Sequence, residues 1–149
     1  MSGQEQEHQQ EQRSWSEERA EIIAAKDRAL YDARQAEHEQ ATALLREFAE
    51  RFESAGIPPI PLQALPYRGD RPVRTHLRGW YLTQDRTLGM DRQGRYYILR
   101  ADGGLGSRLR GADVEPALAP LVIGRGARDG ETVDLRTLLS TRLSDPVRS

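Results

Sequence analysis

The sequence predicts an α+β protein: a long N-terminal helix followed by a small, mostly antiparallel β-sheet module with a short C-terminal helix. Three observations carry this expectation. No glycine or proline occurs from Ser14 to Ala55, so nothing interrupts a helix there. Five prolines crowd into residues 57–72, where a helix cannot continue. From Val73 onward, apolar residues fall into short runs rich in aromatic and β-branched side chains, separated by glycine turns, as strands require.

Residues 1–13 are mostly Gln and Glu, a composition without side chains that could offset the entropy of ordering, and are expected to be a disordered tail. Ser14 with Glu17 makes a capping-box pattern that opens the helix at 14–55. Gly56, Ile57, Pro58 and Pro59 close it, with the glycine where a left-handed cap is needed. Ala41, Leu44, Leu45, Phe48, Phe52 and Ala55 recur at three- and four-residue spacing, a stripe that must be buried. Ile22, Ile23, Ala29, Leu30, Ala33 and Ala36 make a thinner stripe in the first half. A heptad through Ile23, Leu30 and Leu44 is broken by Glu37, so a coiled coil fits the first half imperfectly and the second half can pack on the chain's own C-terminal module.

Residues 56–72 read as a proline-rich connector lying against the body. Residues 73–149 read as the β-rich module. Residues 76–83 form a strand, and 86–90 with 95–100 form a hairpin turning through Asp91-Arg92-Gln93-Gly94. Asp102 to Gly106 is a turn, 107–110 a short strand, 121–123 a buried strand, and 132–143 an amphipathic helix with Val133, Leu135, Leu138, Leu139 and Arg142 on one face. Trp80, Leu82, Leu88, Met90, Ile98 and Leu121 are the expected core.

Composition narrows the chemistry. The chain has 149 residues, 37% hydrophobic and 30% charged, with no cysteine, which excludes disulfides and thiolate sites. No run approaches the ~20 apolar residues of a membrane-spanning helix, and the N-terminus has no secretory pattern; a soluble cytoplasmic protein is expected. Only Lys26 among the 22 basic residues is a lysine, a bias expected of a GC-rich bacterial genome. Residues 1–67 carry 7 basic and 13 acidic groups, and 68–149 carry 15 and 10. The two segments therefore have opposite sign, −6 and +5.

Gly103-Gly104-Leu105-Gly106 lacks the Lys-Ser/Thr of a phosphate loop and the spacing of a dinucleotide fingerprint, and reads as a turn. Leu121-Val122-Ile123-Gly124-Arg125-Gly126 resembles the Ile-Gly-Arg signature of forkhead-associated phosphopeptide-binding domains, in which the arginine reaches phosphate. The resemblance covers these residues alone. That family also places a Ser-x-x-His element afterwards, whereas no histidine follows His76 here, and a strand end running into the glycine-rich turn 124–130 accounts for the same letters. His8, His38 and His76 are too scattered for a metal site, and His38 beside Glu37 and Glu39 reads as a solvated face. His76 with Asp70 or Asp85 would make a base and an orienting carboxylate, but no nucleophile accompanies them. No catalytic residue, cofactor or metal ligand is assigned.

The expectation is thus a non-enzymatic interaction or adaptor protein. Its helix would meet a protein partner or a second copy through Leu44, Leu45, Phe48 and Phe52, and its β module would supply a second surface. The alternative is nucleic-acid binding through an arginine and aromatic sheet surface, with Arg78, Arg95 and Tyr97 as contacts.

Overall fold

The computed structural model describes residues 3–69, 71–124 and 131–148. The fold is α+β, in the predicted order: a long helix α1 (Gly3–Ser54), a sheet, and a short C-terminal helix. The chain divides into two compact units, Met1–Ala36 and Glu37–Ser149. The described residues of the first are helix alone. The second holds the rest of α1 and the β module.

α1 begins at Gly3, well before the capping box at Ser14. The expected disordered tail is therefore helical. Residues 4–13 contain no helix breaker, and Gln and Glu lose little rotamer freedom in a helix, so the turns simply extend past Ser14. At the other end the predicted stop is present. Gly56 has φ 77, its N–H donates to the Glu53 carbonyl at 3.0 Å, and the Ile57 N–H donates to the Phe52 carbonyl at 2.9 Å, the paired bonds of a Schellman cap.

The sheet contains β1 (Ile60–Pro66), β2 (Val73–Tyr81), β3 (Leu88–Asp91), β4 (Tyr96–Ile98) and β5 (Arg100–Ala101) in the order β4-β3-β2-β1-β5. All neighbours are antiparallel except β1 and β5. The hairpin has the expected turn, with Met90 opposite Tyr96 and Gly94 at φ 79. A Cβ on Gly94 would stand 2.8 Å from the Arg46 backbone nitrogen; the turn has room only for glycine because it lies on α1.

The connector is the main departure from expectation: its middle is β1, paired on both sides. Proline-rich sequence disfavours an interior strand because each proline removes a ladder donor. Here the register breaks between Pro61 and Gln63, and side chains of β2 take over. The Gln63 N–H donates to the Tyr81 hydroxyl at 2.8 Å, and the Thr75 hydroxyl donates to the Leu62 carbonyl at 2.5 Å. Leu62 and Ala64 are consequently buried.

Residues 107–110 are not a strand but part of a short helix, α2 (Leu105–Arg110). Its alternation of Leu and Arg mimicked a strand, yet none of its residues is buried, so no sheet face demanded that alternation. Gly111 ends it at φ 87, with its N–H on the Ser107 carbonyl. β6 (Val122–Gly124) and β7 (Thr132–Asp134) pair as a separate antiparallel ribbon. The helix expected at 132–143 is α3 (Leu135–Ser144), preceded by β7 and capped by Asp134, whose carboxylate accepts from the Thr137 N–H at 2.6 Å.

Side-chain alternation divides the sheet's two faces. Trp80, Leu82, Met90 and Tyr96 join Leu45, Phe48 and Phe52 of α1 and Leu135, Leu138 and Leu139 of α3 in the main core. Leu62, Tyr81, Tyr97 and Leu99 form a second cluster. Phe52 stacks on Trp80 with ring centroids 5.4 Å apart, and the indole N–H donates to the Ile57 carbonyl at 3.1 Å. Of the expected core, Leu88 and Leu121 are partly buried and pack on this cluster, while Ile98 is 50% exposed. Ile98 ends the edge strand of the sheet, where no helix covers it.

Phe52→Ala should cost about 3–5 kcal/mol of unfolding free energy, the usual penalty for emptying a large aromatic site, measured by urea titration with indole fluorescence as the signal. An unchanged midpoint would show that the stack contributes nothing. The Asp134 carboxylate lies below its ordinary range because the Thr137 backbone and side chain donate to it. Its contribution to stability is therefore present above pH ~4 and is lost as pH falls through the lowered value. Asp134→Asn keeps a capping acceptor and should lose less stability than the native chain between pH 5 and 2 on this scale.

Candidate functional site

Residues expected to meet a partner are placed inside the molecule. Leu45, Phe48 and Phe52 are buried in the main core and the partly buried Leu44 packs against it, because the sheet and α3 cover this part of the stripe. Glu37 and His38, expected to be solvated, have structural roles: the His38 Nδ1 accepts from the Ala119 N–H and the Glu37 carboxylate accepts from the Leu121 N–H, both at 2.9 Å. These bonds satisfy backbone donors of a segment outside the helix. Spacing in sequence could not reveal them, since the partners are over eighty residues away.

The arginine and aromatic surface fares differently from expectation as well. Trp80, Tyr81, Tyr96 and Tyr97 are all buried, leaving the sheet no exposed ring from this set on which a base could stack. Tyr97, expected as a stacking residue, is 2% exposed and donates through its hydroxyl to Asp91 at 2.9 Å. Arg95 ties to the same carboxylate at 2.6 Å. The two other acceptor positions of Asp91 are filled by the backbone N–H groups of Gln93 and Arg95. Asp91 thus spans the hairpin turn, and a buried charge is acceptable there because every lone pair has a donor. Arg78 is exposed and reaches only the Pro59 carbonyl, at 3.4 Å. Arg92 pairs with Glu53 at 2.9 Å, and Arg86 donates to the Arg148 carbonyl while lying over Tyr81.

His76 is exposed on β2, and Asp70 lies outside the described residues. So do Arg125 and Gly126 of the Ile-Gly-Arg run and the rest of the turn after Gly124. Among the described residues no group of three His, Asp or Glu side chains is arranged to hold a metal.

Exposed large apolar side chains occur on both units, among them Tyr67, Leu105 and Leu109 in the second, and the longest run of them on one element is in the unit Met1–Ala36. Trp15, Ile22, Ile23, Leu30 and Tyr31 are each more than half exposed, and the unit offers no second element to cover them. Ile22, Ile23 and Leu30, with Ala29 and Ala33, occupy neighbouring helical turns on one side. Arg19 lies over the Trp15 ring at 4.7 Å, and Lys26 stands between Ile22 and Leu30 in the same stripe. The stripe therefore mixes apolar area with positive charge, while Glu11, Glu18 and Glu21 supply negative charge nearby. No helix among the described residues is long and apolar enough to cross a membrane.

Comparison with protein families, with characterised proteins and with solved structures finds no match to this chain. What the chain does must therefore be argued from these surfaces.

The Tyr97 hydroxyl is pushed up to about 12 by burial first and by its bond to Asp91 second. Burial alone raises Tyr96 to about 12. Both rings are neutral in the folded protein where an unfolded tyrosine would already ionise. The stability they contribute is full below pH ~10 and is lost as pH rises toward 12. Urea midpoints measured between pH 9 and 12 should fall on that scale, and less steeply in Tyr97→Phe.

Proposed function

We propose that the chain is a non-enzymatic protein–protein interaction protein whose association element is the helix of residues 3–36, with the β module as its folded anchor and second surface. The observation that supports this reading is the row of exposed large side chains, Trp15, Ile22, Ile23 and Leu30, with Tyr31 exposed on the opposite side, on a helix with nothing of its own to bury them. A solvated helix draws little stability from propensity alone and gains most from packing an apolar face. Exposed apolar area of this kind on one element is the mark of an interface.

A second copy of the chain is the partner this surface suits. The stripe carries Arg19 and Lys26, and its neighbours Glu11, Glu18 and Glu21 carry the opposite sign, so two such helices can pair charges as well as apolar rows. The charges inside the stripe weaken the pairing relative to an uninterrupted heptad, which makes it reversible. The arginine sheet is not assigned to nucleic acid, because the aromatic side chains that would stack on bases are in the core.

Light scattering over a range of protein concentration tests the reading. The native chain should exceed the monomer mass, and Ile23→Glu with Leu30→Glu should return it to a monomer. Trp80 fluorescence and the urea midpoint should stay unchanged, since neither residue belongs to the β module's core. A native chain that is monomeric at every concentration and salt would overturn self-association through this helix.

A further inference from the structure

α2 contributes nothing to the chain's own core. None of its six residues is buried, and Leu105 and Leu109, four apart and so on one side of the helix, are 75% and 72% exposed. A helix draws most of its stability from packing an apolar face, yet this one turns both leucines to water. Its ends are nevertheless fixed. The Arg108 Nε donates to the Gly103 carbonyl at 3.2 Å, and the Ala112 N–H just beyond the helix donates to the Arg74 carbonyl at 2.6 Å. A Cβ on Gly111 would stand 3.2 Å from the His76 ring, and one on Gly103 would stand 2.9 Å from the Pro66 Cβ. α2 is thereby held at the end of the sheet where β1 passes into β2.

Tyr67 belongs to the same end. Its N–H donates to the Ala101 carbonyl at 3.3 Å, and its side chain is 73% exposed. The charge there is one-sided: residues 67–76 and 100–113 carry six arginines against three aspartates, in a chain whose net charge is −1. Arg68, Arg74, Arg100, Arg108 and Arg110 are exposed, and among the described residues none of them pairs with a carboxylate. Asp102 is turned to the chain itself, accepting from the Gly104 N–H at 3.2 Å. Three large apolar side chains and a set of unengaged guanidinium groups therefore share one end of the β module.

We propose that this end of the β module is a contact surface for an anionic lipid bilayer, with Leu105, Leu109 and Tyr67 entering the headgroup boundary and Arg68, Arg108 and Arg110 lying among the charged headgroups. Aliphatic side chains beside arginines are the composition of elements that lie in a membrane interface, and a tyrosine suits the headgroup level. Each arginine can lay its stem along apolar surface while its head stays with the headgroups. Shape favours a bilayer over a folded acidic partner. The leucines stand out from the surface, and a Cβ on Gly106 between them would meet nothing within 4 Å. A projecting knob enters a deformable surface, whereas a rigid partner would have to offer a pocket cut to it. The contact is with one leaflet and spans nothing. It gives the β module a surface of its own and does not depend on the association helix, so either assignment can fail without the other.

Sedimentation of the full chain with vesicles of equal parts phosphatidylcholine and phosphatidylserine, and separately with vesicles of phosphatidylcholine alone, tests the proposal. The chain should pellet with the mixed vesicles and far less with the neutral ones, and should be released as salt is raised from about 0.05 to about 0.5 M. Arg108→Gln with Arg110→Gln should weaken partitioning by about fivefold for each charge removed, and Leu105→Ser with Leu109→Ser by at least about tenfold. All four side chains are exposed, so both variants should keep the native urea midpoint. Ile23→Glu with Leu30→Glu, which separates the association helices, should still pellet. No sedimentation with the mixed vesicles at low salt, equal sedimentation with the neutral ones, undiminished binding by either α2 variant, or loss of binding in the Ile23 and Leu30 variant would overturn the proposal. Polyglutamate binding by a chain that ignores the mixed vesicles would assign the patch to an acidic protein instead.

Discussion

The contact between the C-terminal part of α1 and one face of the sheet, centred on Phe52 over Trp80, is the constraint from which the rest of the β module follows. Trp80 meets two demands at once: its ring stacks on Phe52 and its indole N–H satisfies the carbonyl of Ile57, just beyond the helix end. The Schellman cap at Gly56 turns the chain at that point, so the direction in which it leaves α1 and the placement of β2 under the helix are set together. β1 then runs back antiparallel to β2, with Ile60 opposite Gly79. Gly79 is required there, because a Cβ would overlap the Met90 carbonyl and lie 2.8 Å from the Asp91 Cα.

A second constraint, Asp91, acts on the far side of the same hairpin. Its carboxylate collects the turn's backbone donors, Arg95 and Tyr97, and so holds the turn that rests on α1 at Arg46. Arg46 in turn donates to the Gln93 carbonyl at 3.2 Å. Three of the arginines that look in sequence like a ligand-binding surface, Arg86, Arg92 and Arg95, are engaged in this way by acceptors that the fold brings to them. An arginine count measures potential contacts with nucleic acid only when the acceptors inside the protein are known, and here Arg92, Arg95 and Arg86 already have theirs.

The legible parts of the sequence were those whose signal is local. The cap at Gly56, the Asp91–Gly94 turn, the alternation that puts Trp80, Leu82 and Met90 inside, and the amphipathic face of α3 all rest on spacing within a few residues. Strand β1 was hidden because its support is not local: beside Pro61 the Gln63 N–H donates to the Tyr81 hydroxyl and the Leu62 carbonyl accepts from the Thr75 hydroxyl, partners eighteen and thirteen residues further along the chain. His38 and Glu37 were misjudged for the same reason. The partner surface was sought on the strongest apolar stripe, Leu44 to Phe52, and strength of pattern is what the chain's own core also requires. The stripe left exposed is the weaker one, where Arg19 and Lys26 interrupt the apolar row.

That ordering has a physical basis. A helix face built to be buried permanently is uniformly apolar, because any charge in it would lower stability without return. A face exposed to water must carry charge to stay soluble, and residues 15–33 have that mixed character. α3 breaks the rule in the opposite direction, with a permanently buried face that nonetheless contains a cation. Leucine or methionine at position 142 would continue the pattern of Leu135, Leu138 and Leu139 without a desolvation cost.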